Sequence, residues 1–63
     1  MKKSEQREVN NIRRYVMLGM DDTAARALSA LIRAARTNKS RDALMVYAGP
    51  QGWGLRNHPE FII

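Results

Sequence analysis

Few groups in this 63-residue chain are suited to acid–base or ligand chemistry: one His, six carboxylates and no Cys. His58 stands alone in a Pro- and Gly-rich stretch, with no nucleophile or second base beside it. Neither a catalytic pair nor a metal site is expected from it. Glu5, Glu8, Asp21, Asp22 and Asp42 do not have the spacing of a metal loop, and helix capping and solvation account for them. Gly52-Trp53-Gly54 lacks the following Lys-Ser/Thr and the helix that a phosphate loop needs. No catalytic residue, metal ligand or cofactor is therefore expected, and the chain reads as a binding protein, not an enzyme.

The chemistry that remains is cationic. Eleven Lys and Arg against six acids give a formal charge of +5. Ten of the eleven cations and four of the six acids fall in residues 1–41, where the net is +6. Such an asymmetry suits DNA, RNA or an acidic protein surface as partner, although a merely soluble surface has the same composition. Asn38-Lys39-Ser40-Arg41 sets two cations at a helix start, where unpaired backbone amides attract anions. An ordinary capped helix with solvated charges explains the same residues. Trp53 can stack on a base or fill a partner's pocket, but covering the core is the simpler role; Met17, Met20 and Met45 suit core filling.

Four segments must position these groups. Residues 1–14 are polar and basic, with Ser4 as a possible cap and Val9, Ile12 and Val16 at helical spacing. Residues 15–20 permit two readings. As a strand, Val16, Leu18 and Met20 share one face and Tyr15, Met17 and Gly19 the other. As a helix, they are the last turn and a half of one begun at Ser4, stopped by Gly19. The third segment is the clearest helix: Asp21 or Asp22 as cap, then Thr23 to Arg36. Its apolar stripe is Ala24, Leu28, Leu31 and Ala35, with Arg26, Ser29, Arg33 and Arg36 on another face. After a break at Thr37-Asn38-Lys39, Ser40 caps a short second helix that Gly49-Pro50 stop. In the tail, residues 49–63, regular structure is not expected, yet Phe61-Ile62-Ile63 should dock on the core.

The order of short strand, acidic cap, helix, tight break, Ser-Arg and second helix over residues 15–48 resembles the ribbon-helix-helix DNA-binding family. Val16-Met17-Leu18-Gly19-Met20 match the ribbon, Asp21-Asp22-Thr23 the turn, Leu28 and Leu31 the paired apolar positions, and Asn38 to Leu44 the start of the second helix. The resemblance implies a mainly α fold, a short N-terminal β-ribbon followed by two helices, intertwined with a second copy into a homodimer. Val16, Leu18, Met20, Leu28, Leu31, Leu44 and Tyr47 would form the shared core. Tyr15, Met17 and Gly19 would face DNA bases, and Arg13, Arg14, Asn38, Lys39, Ser40 and Arg41 would hold phosphates. Met17 and Gly19 depart from the polar reading face of that family, since neither hydrogen-bonds strongly to a base edge.

The whole chain also resembles the small early-region proteins of lambdoid bacteriophages, which implies the host cytoplasm and a host or phage protein as partner. The competing reading from the residues is an all-α helical hairpin. Ser4–Leu18 and Asp22–Asn38 pair along a seam of Val9, Ile12, Val16, Leu28, Leu31 and Ala35, oligomerise, and bind a protein, with Arg26, Arg33 and Arg36 facing an acidic surface. Either form answers the problem of size, because a monomer of this length buries only about 60% of its unfolded surface. A membrane partner is not expected. The longest apolar runs, residues 15–18 and 43–48, are far short of a span, and the polar Met1–Glu8 has no apolar signal core.

Overall fold

Val9, Ile12 and Val16 recur at helical spacing, and in the computed structural model, which describes residues 2–63, that periodicity runs unbroken into residues 15–17. Helix α1 spans Lys3–Met17. Lys2 is its N-cap and makes no side-chain cap bond, so Ser4 lies inside the first turn and does not cap it. Asn10, a poor interior residue by type, is held by a bond from Gln6 Nε2 to its Oδ1 (3.2 Å), one turn away.

The helix ends in a Schellman turn. The Met20 N–H donates to the Tyr15 carbonyl (2.9 Å), and the Gly19 N–H to that of Val16 (3.0 Å). Gly19 takes φ +76°, the left-handed position that this motif reserves for glycine. This turn overturns the ribbon. There is no strand among the described residues, and the backbone groups a ribbon would offer to a partner are used within α1 and its cap. The fold is mainly α, as a hairpin of helices, and the ribbon-helix-helix architecture is not formed.

Helix α2 spans Asp21–Ala34, with Asp21 and Asp22 in its first turn, where negative charge suits the helix dipole. Neither caps by its side chain; Met20 occupies the cap position. Helix α3 spans Asn38–Ala48. The cap is Thr37, not Ser40: Thr37 Oγ1 accepts from the Ser40 N–H at 3.1 Å. The break between the helices is thus Ala35–Thr37, and Gly49 ends α3 as expected.

Helix α2 is central and packs against both α1 and α3. The core is Val9 and Ile12 of α1, Ala24, Ala25, Leu28 and Ile32 of α2, Leu44 and Ala48 of α3, and Leu55. The apolar arc of α2 is therefore wider than one stripe. Ser29, expected on the cationic face, is 1% exposed, and its hydroxyl donates back to the Arg26 carbonyl at 3.0 Å. Small residues on two faces are what a helix needs to be covered on both sides.

The tail folds back over α3. The Trp53 N–H donates to the Tyr47 carbonyl (2.7 Å), and the two rings stack with centroids 4.8 Å apart. Gly52 lies against the α3 backbone: a Cβ there would stand 2.5 Å from the Tyr47 Cα and carbonyl oxygen. One 3₁₀ turn, Leu55–Asn57, buries Leu55. Phe61 packs on the core, while Ile62 and Ile63 remain exposed, so only the first of the three terminal apolar residues docks. The radius of gyration, 10.4 Å, agrees with about 10.6 Å for a compact domain of this length.

Candidate interaction surface

The expected site residues fall into three separate places. Of the base-facing set, Tyr15 is half-buried against the core, Met17 points outward from the last turn of α1, and Gly19 is the turn itself. They form no common reading face, because alternation by two exists only in a strand. Of the shared-core set, Leu28 and Leu44 are buried in the chain's own core, and Val16, Leu31 and Tyr47 pack around it. Leu18 and Met20 are exposed. The core therefore closes within one chain.

The phosphate set is divided between two ends. Arg13 and Arg14 lie near the C-terminal end of α1, and both are exposed. Asn38, Lys39, Ser40 and Arg41 form the first turn of α3. That turn borders a cleft of about 370 Å³ shared with Lys2, Ser4, Glu5, Leu31, Ala34, Ala35, Arg36 and Thr37, so it lies beside the start of α1. Arg13 is eight residues beyond Glu5, which is about 12 Å along the helix. Two of the α3 amides are already used, Ser40 N–H by Thr37 Oγ1 and Arg41 N–H by the Thr37 carbonyl. In the same cleft Glu5 Oε2 is shielded from solvent and has no hydrogen-bond partner.

One ion pair occurs among the described residues, Arg26 Nη2 to Glu60 Oε2 at 2.9 Å, reinforced from Arg26 Nε at 3.2 Å. The hydrogen bond to Glu60, and then its charge, hold the Arg26 guanidinium above its ordinary pKa. The contact ties the tail to α2 and needs both the Arg26 cation and the Glu60 carboxylate. Arg26 is engaged by its own tail, and its side chain remains largely exposed. His58 Nδ1 accepts the Glu60 N–H (3.1 Å), a structural role within the tail. Among the described residues no three His, Asp or Glu side chains converge, and no helix is long and apolar enough to cross a membrane.

The apolar tip of the α1–α2 hairpin is not absorbed by the chain's own core. Met17 is 80% exposed, Leu18 68% and Met20 40%. Met17 and Met20 do not fill the chain's own core, and all three project from the turn. Arg13 and Arg14 flank them on α1, and Asp21 and Asp22 on α2. The accessible surface, 4552 Å², exceeds the roughly 4100 Å² typical of a compact monomer of this mass. Comparison of the chain with protein-family models, curated proteins and solved structures found no match.

Proposed function

We propose that this chain is a non-enzymatic helical-hairpin protein that self-associates and works by binding another protein, of the host or of a phage, in the cytoplasm. The observation that carries the reading is the hairpin tip: three adjacent large apolar side chains exposed on a domain whose core is already complete. Contiguous apolar patches of a few hundred Å² on small soluble domains mark interaction sites more often than chance.

The first occupant of the tip is a second copy. Cations precede the patch on α1 and carboxylates follow it on α2, so two tips related by a two-fold axis could set Arg13 and Arg14 of each chain against Asp21 and Asp22 of the other. Such a patch is small compared with a standard interface of about 800 Å² per partner, so a reversible, concentration-dependent dimer is expected.

Sedimentation equilibrium over a wide concentration range tests this. The wild-type chain should pass from monomer to dimer, and Leu18→Glu should remain monomeric with unchanged helicity. Arg13→Glu/Arg14→Glu and Asp21→Arg/Asp22→Arg should each weaken self-association, and mixing the two variants should restore a dimer. A wild-type chain that stays monomeric throughout, or a mixture that fails to associate, would refute the reading.

A further inference from the structure

A second surface runs along α1 and meets the tip only at Arg14. Lys3, Arg7, Asn10 and Arg14 follow one another at i, i+4, i+7 and i+11 on α1, and all four are exposed. At 100° per residue they lie on the side of the helix opposite the buried Val9 and Ile12. The row contains no acid: Glu5 is turned toward the cleft and half-buried, and Glu8 projects from a flank. None of its cations is in the one ion pair among the described residues.

We propose that this row is a binding track for the phosphate backbone of duplex nucleic acid, used without regard to sequence. Lys3 and Arg14 are separated by about 16 Å along the axis of a helix about 22 Å long, room for three cations to meet three phosphates on one strand. The row fixes no side chain for base reading: Lys3, Arg7 and Arg14 are the types that pair with guanine, but no ion pair among the described residues orients any of them. Asn10 is its only neutral polar member, and its side-chain oxygen already accepts from Gln6. It also holds nothing that stacks, which disfavours single strands: Tyr47 and Trp53 are stacked on one another, and Tyr15 packs on the core. Insertion in a membrane surface is disfavoured as well, because the apolar face of α1 is covered by α2. A protein surface is the less suitable partner, since the one exposed apolar side chain on this side of α1, Met17, lies beyond the end of the row and not between its cations.

The test is fluorescence anisotropy with a labelled hairpin duplex of about ten base pairs, one turn of DNA, short enough to engage a single row. Three neutralised phosphates give a log–log salt slope of about −2.7, so affinity should fall about 40-fold between about 50 and about 200 mM salt. Arg7→Gln and Arg14→Gln should each reduce the slope to about −1.8. Arg33→Gln removes an equal charge from the exposed side of α2 and should leave the slope as it was. Absence of binding at the lowest salt would overturn the proposal. So would equal losses in the Arg33 and Arg7 variants, which would mean a diffuse response to net charge. Competition by polyglutamate as strong as by unlabelled duplex would point to an acidic protein and overturn it too. Because Leu18→Glu leaves the row intact, that variant should bind the duplex whether or not the tip reading survives.

Discussion

Replacing Gly19 in both mirror forms tests the hairpin directly. Gly19 sits at φ +76°, and a Cβ built there meets nothing within 4 Å. The effect of a methyl group is therefore conformational and not steric. An L-residue in the left-handed region loses about 1–2 kcal/mol. Restricting the unfolded chain, by exchanging Gly for Ala, returns about 0.4–1 kcal/mol. The expected outcome for Gly19→Ala is a net destabilisation of about 1 kcal/mol, taking both ranges together. With D-alanine at the same position the strain disappears and the unfolded-state effect remains, so stability should rise by about 0.4–1 kcal/mol.

A chain of this length is accessible to chemical synthesis, and both forms can be melted by far-UV circular dichroism. In a domain this small each kcal/mol moves the midpoint by about 4–8 °C, so the two variants should separate by on the order of 10 °C. Repeating the melts at several concentrations separates any contribution of association. The sign refutes or sustains the reasoning. In an extended ribbon, residue 19 would have negative φ, L-alanine would stabilise and D-alanine would destabilise. That inversion would exclude the Schellman turn and with it the exposed tip.

Two further substitutions probe the packing that holds these surfaces in place. Gly52→Ala would drive a Cβ to 2.5 Å from backbone atoms of Tyr47, which cannot give way as a side-chain end can. It should cost about 1–3 kcal/mol by urea denaturation, and a neutral result would show that the tail does not lie on α3 as described. Glu5→Met removes a carboxylate oxygen that is shielded and unpaired, at the loss of a favourable charge in the first turn of α1. Relief of about 1–3 kcal/mol against a loss of about 0.3–1 kcal/mol should leave the variant more stable by about 1 kcal/mol; a less stable variant would mean that Glu5 has a partner.

The sequence made α2 legible because Ala24, Leu28, Leu31 and Ala35 repeat at helical spacing, without Gly or Pro between the two acids and Arg36. Gly49-Pro50 was equally plain as a stop. Residues 15–20 were not, since a six-residue apolar run satisfies both the helical and the alternating pattern. The deciding signal was length: Val9 and Ile12 continue the period of Val16 back over about two turns, a pattern longer than most strands. The start of α3 was misplaced because Thr37 and Ser40 are both good caps, and only the fold shows which hydroxyl meets a free amide. The buried arc of Ala25, Ser29 and Ile32 escaped notice because one stripe was assumed, while α2 is covered from two sides. The tip escaped for a deeper reason. Apolar residues are assigned to cores by default, and nothing in Met17-Leu18-Gly19-Met20 states that the core is already full.

That completeness changes what self-association means here. In an intertwined ribbon-helix-helix dimer, Leu28 and Leu44 would be buried by the second chain, and dilution would unfold the protein. Here both are fully buried within a single chain. On the proposed reading folding precedes association, and dilution would separate a tip dimer into folded monomers. Contact through Met17, Leu18 and Met20 adds surface to a finished domain, so its strength can be tuned by the flanking charges without risk to the fold. Lys3 and Arg7 of the cationic row lie toward the other end of α1 from the tip, while Arg14 is shared with it. The two proposals therefore separate by single substitutions: Leu18 belongs to the tip alone and Arg7 to the row alone.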